Sequence, residues 1–454
     1  MYVKDTIVAQ STPQGISGVA ILRISGNKIK KICKKMLGFV PKIRYANYSS
    51  FLNIRDKSVI DKGIVIRYKS PSSFTGEDVL EIQCHGNPII IDMLIKNILL
   101  INEVRIAEPG EFTKRAFFNN KIDLLQAEGI DDLIHANSKV SVKSYFNSAY
   151  GIYSIYISKL SSKISSIRTD IEAILNFEYK YDNNIKKIFL KKIDKIIYDF
   201  KKVLEKLKKS YIFKEGINVA IVGKPNSGKS SLFNSIISDD RSIVTKIPGT
   251  TRDILKEFFF FDGLSFNVSD TAGIRESNNK IEKIGVLKTW KELDNSNYAL
   301  LVIDSSDLNY KNSNTNNKII KHFKFKNIPY SIVLNKCDIL NLKPNIEILK
   351  NVHYITLSAK KNVGINMLLK FLKDQLLFKN FNRNGFLSKR RHLNLIQKSL
   401  CKLISSKKDF LKFNNIEILA QDINDAQKFL DYIVGKVYTN DLLDSIFSNF
   451  CIGK

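Results

Sequence analysis

The feature that most constrains the fold is a glycine-rich phosphate loop in the middle of the chain. An apolar strand, Ile217 to Val222, precedes G-x-x-x-x-G-K-S at residues 223–230, and a helical pattern starts at Ser231. Glycines let successive backbone N–H groups face phosphate oxygens, assisted by the positive end of the following helix. Lys229 is expected to reach the β- and γ-phosphates and the Ser230 hydroxyl to bind Mg²⁺. The motif therefore predicts a nucleotide-binding α/β domain.

Two later motifs, each at the end of an apolar strand, indicate guanine rather than adenine. The stretch "YSIVLNKCD" ends with Asp338, whose carboxylate can accept hydrogen bonds from N1–H and N2–H₂ of guanine. Adenine lacks these donors, so a site built around this carboxylate disfavours it. The stretch "HYITLSAKKNVG" supplies the residues expected near guanine O6. The predicted base-reading residues are Asn335, Lys336, Asp338, Ser358, Ala359 and Lys360.

A D-x-x-G motif lies between the phosphate loop and the base-reading motifs. In "SFNVSDTAGIRE", Asp270 is predicted to join the magnesium shell and Gly273 to meet the γ-phosphate. Many regulatory GTPases place a glutamine next to orient the attacking water, but Ile274 stands here and has no group that could hold one. The catalytic assistance that a glutamine would give to hydrolysis must therefore come from elsewhere in the chain or from a bound ion.

Two kinds of positive charge could replace the missing glutamine. Arg252 and Arg275 are candidates for an arginine that stabilises the transition state. A monovalent cation could do the same electrostatic work, and Asn226 in the phosphate loop is a plausible oxygen ligand for it.

The periodicity of the remaining chain predicts a multidomain protein. Residues 216–378 alternate strands and helices, with a hairpin at "ILKEFFFFDGLSFNVSD", which is typical of a doubly wound P-loop sheet. Residues 120–214 and 379–454 are helical, so the nucleotide domain is inserted into a discontinuous α-helical domain. Residues 1–119 alternate strand-like and helical runs, which indicates an α/β or α+β domain.

Composition narrows the compartment and the partners. The formal charge of +28 is compatible with a polyanionic partner such as RNA, but the lysines are spread widely and mostly suggest solvated helix faces. No apolar run approaches 18 residues and no signal peptide is visible, so a cytoplasmic protein without a membrane segment is expected. The five scattered cysteines indicate neither disulfides nor zinc, and the neighbours Cys84 and His85 lack further ligands.

The whole chain resembles the MnmE (TrmE) family of tRNA modification GTPases, within the TrmE-Era-EngA-YihA-Septin class of P-loop GTPases. The resemblance is carried by "DTIVAQSTPQGISGVAILRISG", "SFTGEDVLEIQCHG" and "PGEFTKRAFFNNKIDLLQAEGIDDLI" in the first part, and by "GKPNSGKSSLFN", "IPGTTRD" and "DTAGIRE" in the middle. The ending "NDLLDSIFSNFCIGK" is its most specific element, because other P-loop GTPases do not finish this way.

The resemblance implies a homodimer that assembles with the flavoprotein MnmG into a heterotetramer. Such proteins add an aminomethyl or carboxymethylaminomethyl group to C5 of the wobble uridine, U34, of certain tRNAs. The carbon comes from 5,10-methylene-tetrahydrofolate, and 5-formyl-tetrahydrofolate is a related ligand. The first domain is then a folate-binding α/β domain similar to the glycine-cleavage T protein, and the inserted domain is a Ras-like G domain whose GTP hydrolysis K⁺ activates.

The resemblance also assigns residues to the nucleotide and its ions. It implies K⁺ ligands at Asn226, Thr245, Ile247 and Thr250 and Mg²⁺ ligands at Ser230 and Thr251. Glu282, which would position water, and Lys229 are the predicted catalytic residues of hydrolysis. Beyond the base-reading set, the predicted GTP contacts are Asn226, Ser227, Gly228, Lys229, Ser230, Ser231, Thr245, Thr250, Thr251, Asp270, Thr271, Ala272 and Gly273.

The folate contacts that the resemblance implies are Arg23, Glu81, Lys121 and Lys454. The final Cys-Ile-Gly-Lys has the outline of a prenylation box, but a terminal lysine and Gly453 fit that signal poorly. The tail is instead expected beside the folate, with Cys451 near the modification site. Two roles stay open for Cys451, a nucleophile in direct chemistry or a residue that shapes the folate site.

Two other functions share some of these sequence features. A ribosome-assembly RNA-binding GTPase would also be basic and cytoplasmic, but it should carry an RNA-binding module such as a KH domain with a G-x-x-G loop, and none is recognisable. A membrane-tethered signalling switch needs a lipid signal and a hydrolytic glutamine, and neither is visible.

Overall fold

The structure is a computed structural model that describes residues 5–136, 139–176, 183–237, 256–261, 264–270, 290, 293–307, 313–376, 388–448, 450 and 453. Two compact units make up the chain. The first contains residues 1–135, 146–201 and 394–454, and the second contains residues 136–145 and 202–393. The break in the first unit between residues 201 and 394 is the expected consequence of inserting one domain into another.

A six-stranded sheet with three helices forms the first part of the chain. The strand order is β3-β4-β5-β2-β1-β6, with β1 and β6 parallel and the other neighbours antiparallel. The elements are β1 (Thr6–Gln10), β2 (Ser17–Ser25), α1 (Ile29–Leu37), β3 (Asn47–Leu52), β4 (Val59–Tyr68), β5 (Val79–Gly86), α2 (Pro88–Leu99), β6 (Val104–Ile106) and α3 (Glu111–Phe118).

The alternating pattern of β2 and β5 determines what each sheet face carries. Leu22, Ile24, Leu80 and Ile82 are fully buried in one core with residues of α1 and α2. Because successive side chains of a strand point to opposite faces, residues 23 and 81 lie on the other face. The register pairs Arg23 with Glu81 across β2 and β5. The two charges therefore meet away from the helix-covered core.

Among the described residues, seven helices outside the inserted domain follow the sheet, in two groups separated along the chain. The caps explain several of their ends: Asp123 and Gln126 form a reciprocal capping box that starts α4, and Asn415 caps α12 through the Ile418 N–H. The helices are α4 (Leu124–Ile134), α5 (Lys139–Ala149), α6 (Ile152–Asn176), α7 (Asn183–Glu215), α11 (Arg390–Phe413), α12 (Ile416–Val434) and α13 (Asn440–Phe447).

A seven-stranded sheet forms the inserted domain. Its order is β12-β13-β11-β10-β7-β9-β8, with β13, β11, β10, β7 and β9 parallel and the edge strands antiparallel. The elements are β7 (Ile217–Val222), α8 (Lys229–Ile237), β8 (Lys256–Phe261), β9 (Leu264–Asp270), β10 (Tyr298–Asp304), α9 (Asn314–Lys326), β11 (Tyr330–Asn335), β12 (Asn345–Leu349), β13 (Val352–Thr356) and α10 (Ile365–Leu376).

The central strand β7 is buried on both faces. Val219 and Ile221 pack into one core with α8 and α10, whereas Ala220 and Val222 pack into a second core with α9. This explains the continuous apolar run, which is typical of parallel strands covered by helices on both sides. After β7 the chain visits β9 on one side and β10 on the other, so a ligand crevice is expected at the carboxyl end of β7.

The predicted multidomain layout is confirmed, with an α/β first part, a discontinuous helical part and an inserted P-loop domain. The predicted strand at Ile217–Val222 and the hairpin of β8 and β9 are also confirmed. Helix α8 begins at Lys229, two residues before the predicted start at Ser231. The reason is that Gly228 makes the sharp turn, with φ of 91°, and the motif lysine already has helical geometry.

Candidate functional site

The phosphate loop occupies the turn between β7 and α8, and its glycine at 228 has no room for a side chain. Gly228 has φ of 91°, and a Cβ atom there would lie 2.1 Å from Nδ2 of Asn335. Asn226 also has a left-handed backbone, with φ of 64°, a conformation that asparagine tolerates better than most residues. The loop thus takes the tight curl that backbone phosphate binding requires.

Lys229 lies over this loop rather than in solvent. Its Nζ donates a hydrogen bond of 2.8 Å to the carbonyl oxygen of Lys224, and only 8% of the residue is exposed. The Ser227 hydroxyl donates to the same carbonyl at 2.9 Å. Ser230 and Ser231, in the first turn of α8, are exposed at its positive end. An ammonium, hydroxyls and a helix N-terminus together suit a phosphate with its Mg²⁺.

Asn335 connects the phosphate loop to both base-reading motifs. It ends β11, is 2% exposed, and donates through Nδ2 to the carbonyl oxygen of Ser227 at 3.0 Å. Its Oδ1 accepts from the N–H of Ala359 at 3.0 Å. One buried amide therefore sets the distance between the segment expected at the phosphates and the one expected at guanine O6.

Lys336 has an immobilised ammonium and a strained backbone. It adopts φ of 67°, and its Nζ donates to Oδ2 of Asp304 at 2.6 Å. Burial would raise the pKa of Asp304, but hydrogen bonds from Lys336 and Ser306 outweigh it and lower the pKa. The aspartate is therefore ionised at neutral pH and fixes the lysine, whose aliphatic stem remains available as a surface for a base.

Asp338 is positioned by the other base-reading motif. The Ser358 hydroxyl donates to its Oδ1 at 2.6 Å, and this hydrogen bond lowers the pKa of Asp338. The carboxylate is ionised and its second oxygen remains available, as an acceptor for guanine N1–H and N2–H₂ requires. Lys360 is exposed in the turn that follows. The structure thus brings together the described residues of the phosphate loop and both base-reading motifs.

Several predicted residues lie outside the described part of the chain. Asp270, the last residue of β9, lies within it. Ile274 and the candidate arginines Arg252 and Arg275 lie outside it. The site residues in this group are Thr245, Ile247, Thr250, Thr251, Thr271, Ala272, Gly273, Glu282, Cys451 and Lys454.

Two of the three described folate candidates, Arg23 and Lys121, contact one segment, residues 69–78. Arg23 and Glu81 form an ion pair of 2.8 Å, and the Arg23 guanidinium lies 5.7 Å from the centre of the Phe74 ring. Lys121 donates through Nζ to the carbonyl oxygen of Pro71 at 3.0 Å. These residues could offer a pterin both a carboxylate acceptor and cationic donors, so the residues present fit a folate.

Sequence reasoning missed the buried network that anchors the end of this segment. The Arg115 side chain is 1% exposed and donates to Glu77 at 3.0 Å, to Asp5 at 2.7 Å and to Glu111 at 2.9 Å. The Ser25 hydroxyl donates to the same Glu77 oxygen at 2.7 Å. The visible signal was the i,i+4 spacing of Glu111 and Arg115 within "PGEFTKRAFF".

Cys84 and His85 have separate structural partners. Cys84 is 3% exposed, and burial raises the pKa of its thiol to about 11. The ring Nδ1 of His85 lies 2.8 Å from Oδ1 of Asp61. Among the described residues, no group of three or more His, Cys, Asp and Glu side chains is arranged to hold a metal ion. Across the same part of the chain, every helix falls short of the length and apolar character that a membrane crossing needs.

Comparison with known proteins covers nearly the whole chain. The family model described as "MnmE helical domain" matches residues 124–451, and the one described as "GTP-binding protein TrmE N-terminus" matches residues 6–121. The chain is 42% identical over 459 residues to a tRNA modification GTPase MnmE from Buchnera aphidicola subsp. Schizaphis graminum, covering 100% of both. It is 39% identical over 458 residues to the protein of the same name from Proteus mirabilis, again covering 100% of both.

Proposed function

The chain belongs to the MnmE family of tRNA modification GTPases, and from this premise we propose that it hydrolyses GTP in the course of modifying a tRNA. The main support for GTP binding is the buried side-chain amide of Asn335, which connects the phosphate loop to the turn predicted to bind guanine. An ATP-binding loop has no need of the ionised Asp338 at the base position. The site residues predicted from the motifs are proposed in the same roles.

Hydrolysis in this proposal depends on Mg²⁺ and K⁺. Ser230 and Thr251 would hold Mg²⁺, with Asp270 in its shell, and Mg²⁺ would supply charge neutralisation at the phosphates. Asn226, Thr245, Ile247 and Thr250 would hold K⁺. Lys229 contacts the transferred phosphoryl group, and Glu282 positions the attacking water. The left-handed backbone conformation of Asn226 supports its proposed role as a K⁺ ligand, because this conformation holds the residue at the rim of the phosphate loop.

The modification itself is proposed at C5 of the wobble uridine, with carbon from a tetrahydrofolate. Arg23, Glu81, Lys121 and Lys454 would bind the folate, and the cofactor would supply a one-carbon unit. The neighbouring Arg23 and Glu81 support this role, because a donor and an acceptor at one place match the edge of a pterin. Cys451 is proposed near the modification site. A second copy of the chain and the flavoprotein MnmG would complete the assembly.

The proposed domains keep the predicted boundaries. A folate-binding domain occupies residues 1–119, the helical domain residues 120–214 and 379–454, and the G domain residues 216–378. The last helix of the first part, α3, ends at Phe118, and the strands and helices of the G domain run from Ile217 to Leu376, which supports these limits.

GTP hydrolysis in KCl and in NaCl at equal ionic strength tests the nucleotide part. The parent protein should be at least about tenfold faster in KCl, because a cation at the bridging oxygens replaces the missing glutamine. Asn226→Ala should remove this difference, and Asn317→Ala, an exposed residue of α9, should keep it. Equal rates of the parent protein in both salts would contradict the K⁺ site.

Modification is tested by expressing the chain in a bacterium that lacks its own copy and analysing tRNA nucleosides by mass spectrometry. The C5-modified wobble uridine should return with the parent chain and not with Asp338→Asn. The asparagine amide cannot accept hydrogen bonds from both N1–H and N2–H₂ of guanine, so this variant should bind GTP poorly. A parent chain that hydrolyses GTP yet leaves the uridine unmodified would contradict the tRNA part alone.

A further inference from the structure

A cavity lies within the first unit between the turn after α3 and the turn after α12. Its volume is about 590 Å³, within the range of roughly 300–1,000 Å³ typical of small-molecule pockets. We refer to it as the aromatic–lysine pocket. Its defining residues are Phe117, Phe118, Lys121, Gly435, Lys436 and Tyr438.

One wall of the aromatic–lysine pocket is a cluster of three rings. The ring of Phe117 packs edge-on against Tyr438 with centroids 5.5 Å apart, and Phe118 lies 6.1 Å from Tyr438. Phe117 is buried, but Tyr438 is 40% exposed. Gly435 ends α12 with φ of 82° and adds no side chain here. The cluster therefore offers aromatic surface to a flat ligand, as the stacking platforms of RNA-binding proteins do.

The charges of the pocket favour an anion. The side chain of Lys436 is 67% exposed, and Oδ1 of Asp431 lies 3.9 Å from its Nζ. Lys121 is the second lysine. The carboxylate in the lining, Asp123, accepts from the Gln126 N–H at 2.9 Å and is occupied in capping α4. Aromatic surface beside two cations matches a nucleotide, which combines a flat base with a phosphate.

The pocket also borders the predicted folate residues. Lys121 lines it and donates to Pro71 in the segment whose Phe74 lies over Arg23. A carbon donor and the base that accepts the carbon must come within bonding distance, so an acceptor site next to Lys121 has a chemical reason. On the other side, Phe447 at the end of α13 packs against Phe117 with centroids 6.4 Å apart.

We propose that the aromatic–lysine pocket holds one unstacked nucleotide of the tRNA, with its base against Phe118 and Tyr438 and its phosphate near Lys121 and Lys436. The proposal rests on the function inferred above. An enzyme that forms a bond at a base carbon must take that base out of its stack, and single-stranded RNA bases are commonly bound on aromatic side chains.

Binding of a fluorescent anticodon stem-loop RNA with uridine at the wobble position tests the pocket. Tyr438→Leu keeps an apolar side chain but loses stacking, so the affinity should fall about 5- to 100-fold, whereas Tyr438→Phe should bind as the parent does. Tyr48→Leu is the matched control, because Tyr48 is 75% exposed on β3. Thermal unfolding of each variant checks that it is folded.

The salt dependence separates a phosphate contact from a structural effect. Lys436→Gln should weaken binding of RNAs of different sequence equally and reduce the slope of log K against log salt by about one. Lys31→Gln, at an exposed position of α1, should leave the slope unchanged. Parent-like affinity for Tyr438→Leu, or a parent-like slope for Lys436→Gln, would overturn the pocket proposal. A parent protein that binds no stem-loop would overturn the tRNA function as well.

Discussion

Asn335 donates a hydrogen bond to the carbonyl oxygen of Ser227 across 3.0 Å, so a residue of the base-reading motif holds the phosphate loop in place. The same side chain accepts from Ala359 N–H at 3.0 Å, and only 2% of Asn335 is exposed. The two ends of the nucleotide site are therefore not independent. Loss of this amide should disturb phosphate and base binding together.

Asn335→Ala should lower GTP affinity at least about tenfold, because it leaves the Ser227 carbonyl and the Ala359 N–H without their buried partner, at about 1–3 kcal/mol each. Titration with a fluorescent GTP analogue measures the affinity. Asn317→Ala removes an asparagine from an exposed face of α9 and should bind as the parent does. An unchanged affinity of Asn335→Ala would show that the phosphate loop keeps its shape without this contact.

Gly228→Ala should abolish measurable GTP binding. The new methyl group would sit 2.1 Å from Asn335 Nδ2, and the backbone φ of 91° already disfavours any side chain. Gly38→Ala provides a matched control, because Gly38 has a similar φ of 81° but nothing within 4 Å of the added Cβ. The control should cost only about 1 kcal/mol of strain and leave nucleotide affinity intact. Equal effects of the two changes would contradict the steric explanation.

Asp338→Asn should exchange guanine for xanthine. The amide keeps one acceptor and presents a donor, which suits the O2 carbonyl of xanthine and repels the N2–H₂ group of guanine. We expect a fall of at least about 100-fold in the ratio of GTP to XTP affinity, measured by competition with a fluorescent nucleotide. Asp374→Asn, at an exposed position of α10, is the control and should preserve the ratio.

The sequence predicted the backbone of the phosphate loop better than the arrangement of Arg23 and Glu81, for a physical reason. A phosphate loop is a local motif, so the backbone of Gly228 and the start of α8 follow from adjacent residues. Arg23 and Glu81 were predicted as separate ligand contacts, but the register of β2 and β5 makes them an ion pair. β2 and β5 are distant in the sequence and share no hairpin turn, so their register depends on how the whole sheet buries its apolar face.

Most of the Arg115 network could not be predicted from the sequence for the same reason. Asp5, Glu77 and Glu111 come from three separate parts of the chain and meet only after the sheet and α3 have packed. Of these pairs only Glu111 and Arg115 have helical spacing. Sequence patterns report contacts between neighbours along the chain, so a cluster built by tertiary packing has to be seen in the structure.

Arg115→Met should destabilise the first unit by about 3–5 kcal/mol at pH 7, because it leaves several carboxylates close together without their buried cation. Urea unfolding followed by circular dichroism measures this loss. The fluorescence of Trp290, the one tryptophan of the chain and part of the second unit, is an internal control and should unfold at an unchanged urea concentration. Lys96→Met removes the exposed pair with Asp92 and should cost less than about 1 kcal/mol.

The cost of Arg115→Met should also shrink in acid. Burial would raise the pKa of Glu111, but hydrogen bonds from Arg105, the Glu108 N–H and Arg115 outweigh it and lower the pKa. A lowered pKa contributes stability above the unfolded pKa of about 4.5, and this contribution is lost as the pH falls through the folded value. Urea unfolding of both proteins at pH 7 and at pH 4 should show a smaller difference in the free energy of unfolding at pH 4. An equal difference at both pH values would exclude the carboxylates as the cause of the destabilisation.

The rate of alkylation in the native protein should distinguish exposed from buried cysteines. It should also distinguish the two roles proposed for Cys451. Burial raises the pKa of Cys33 and of Cys84 to about 11, so roughly one thiol in a thousand is ionised at pH 8. Iodoacetamide at this pH, followed by peptide mass spectrometry, should label the exposed Cys401 and spare Cys33, Cys84 and the buried Cys337 until urea is added. Cys401 then calibrates Cys451: faster labelling of Cys451 at pH 7 indicates an activated thiolate, as direct chemistry requires, and slower labelling favours a residue that only shapes the folate site.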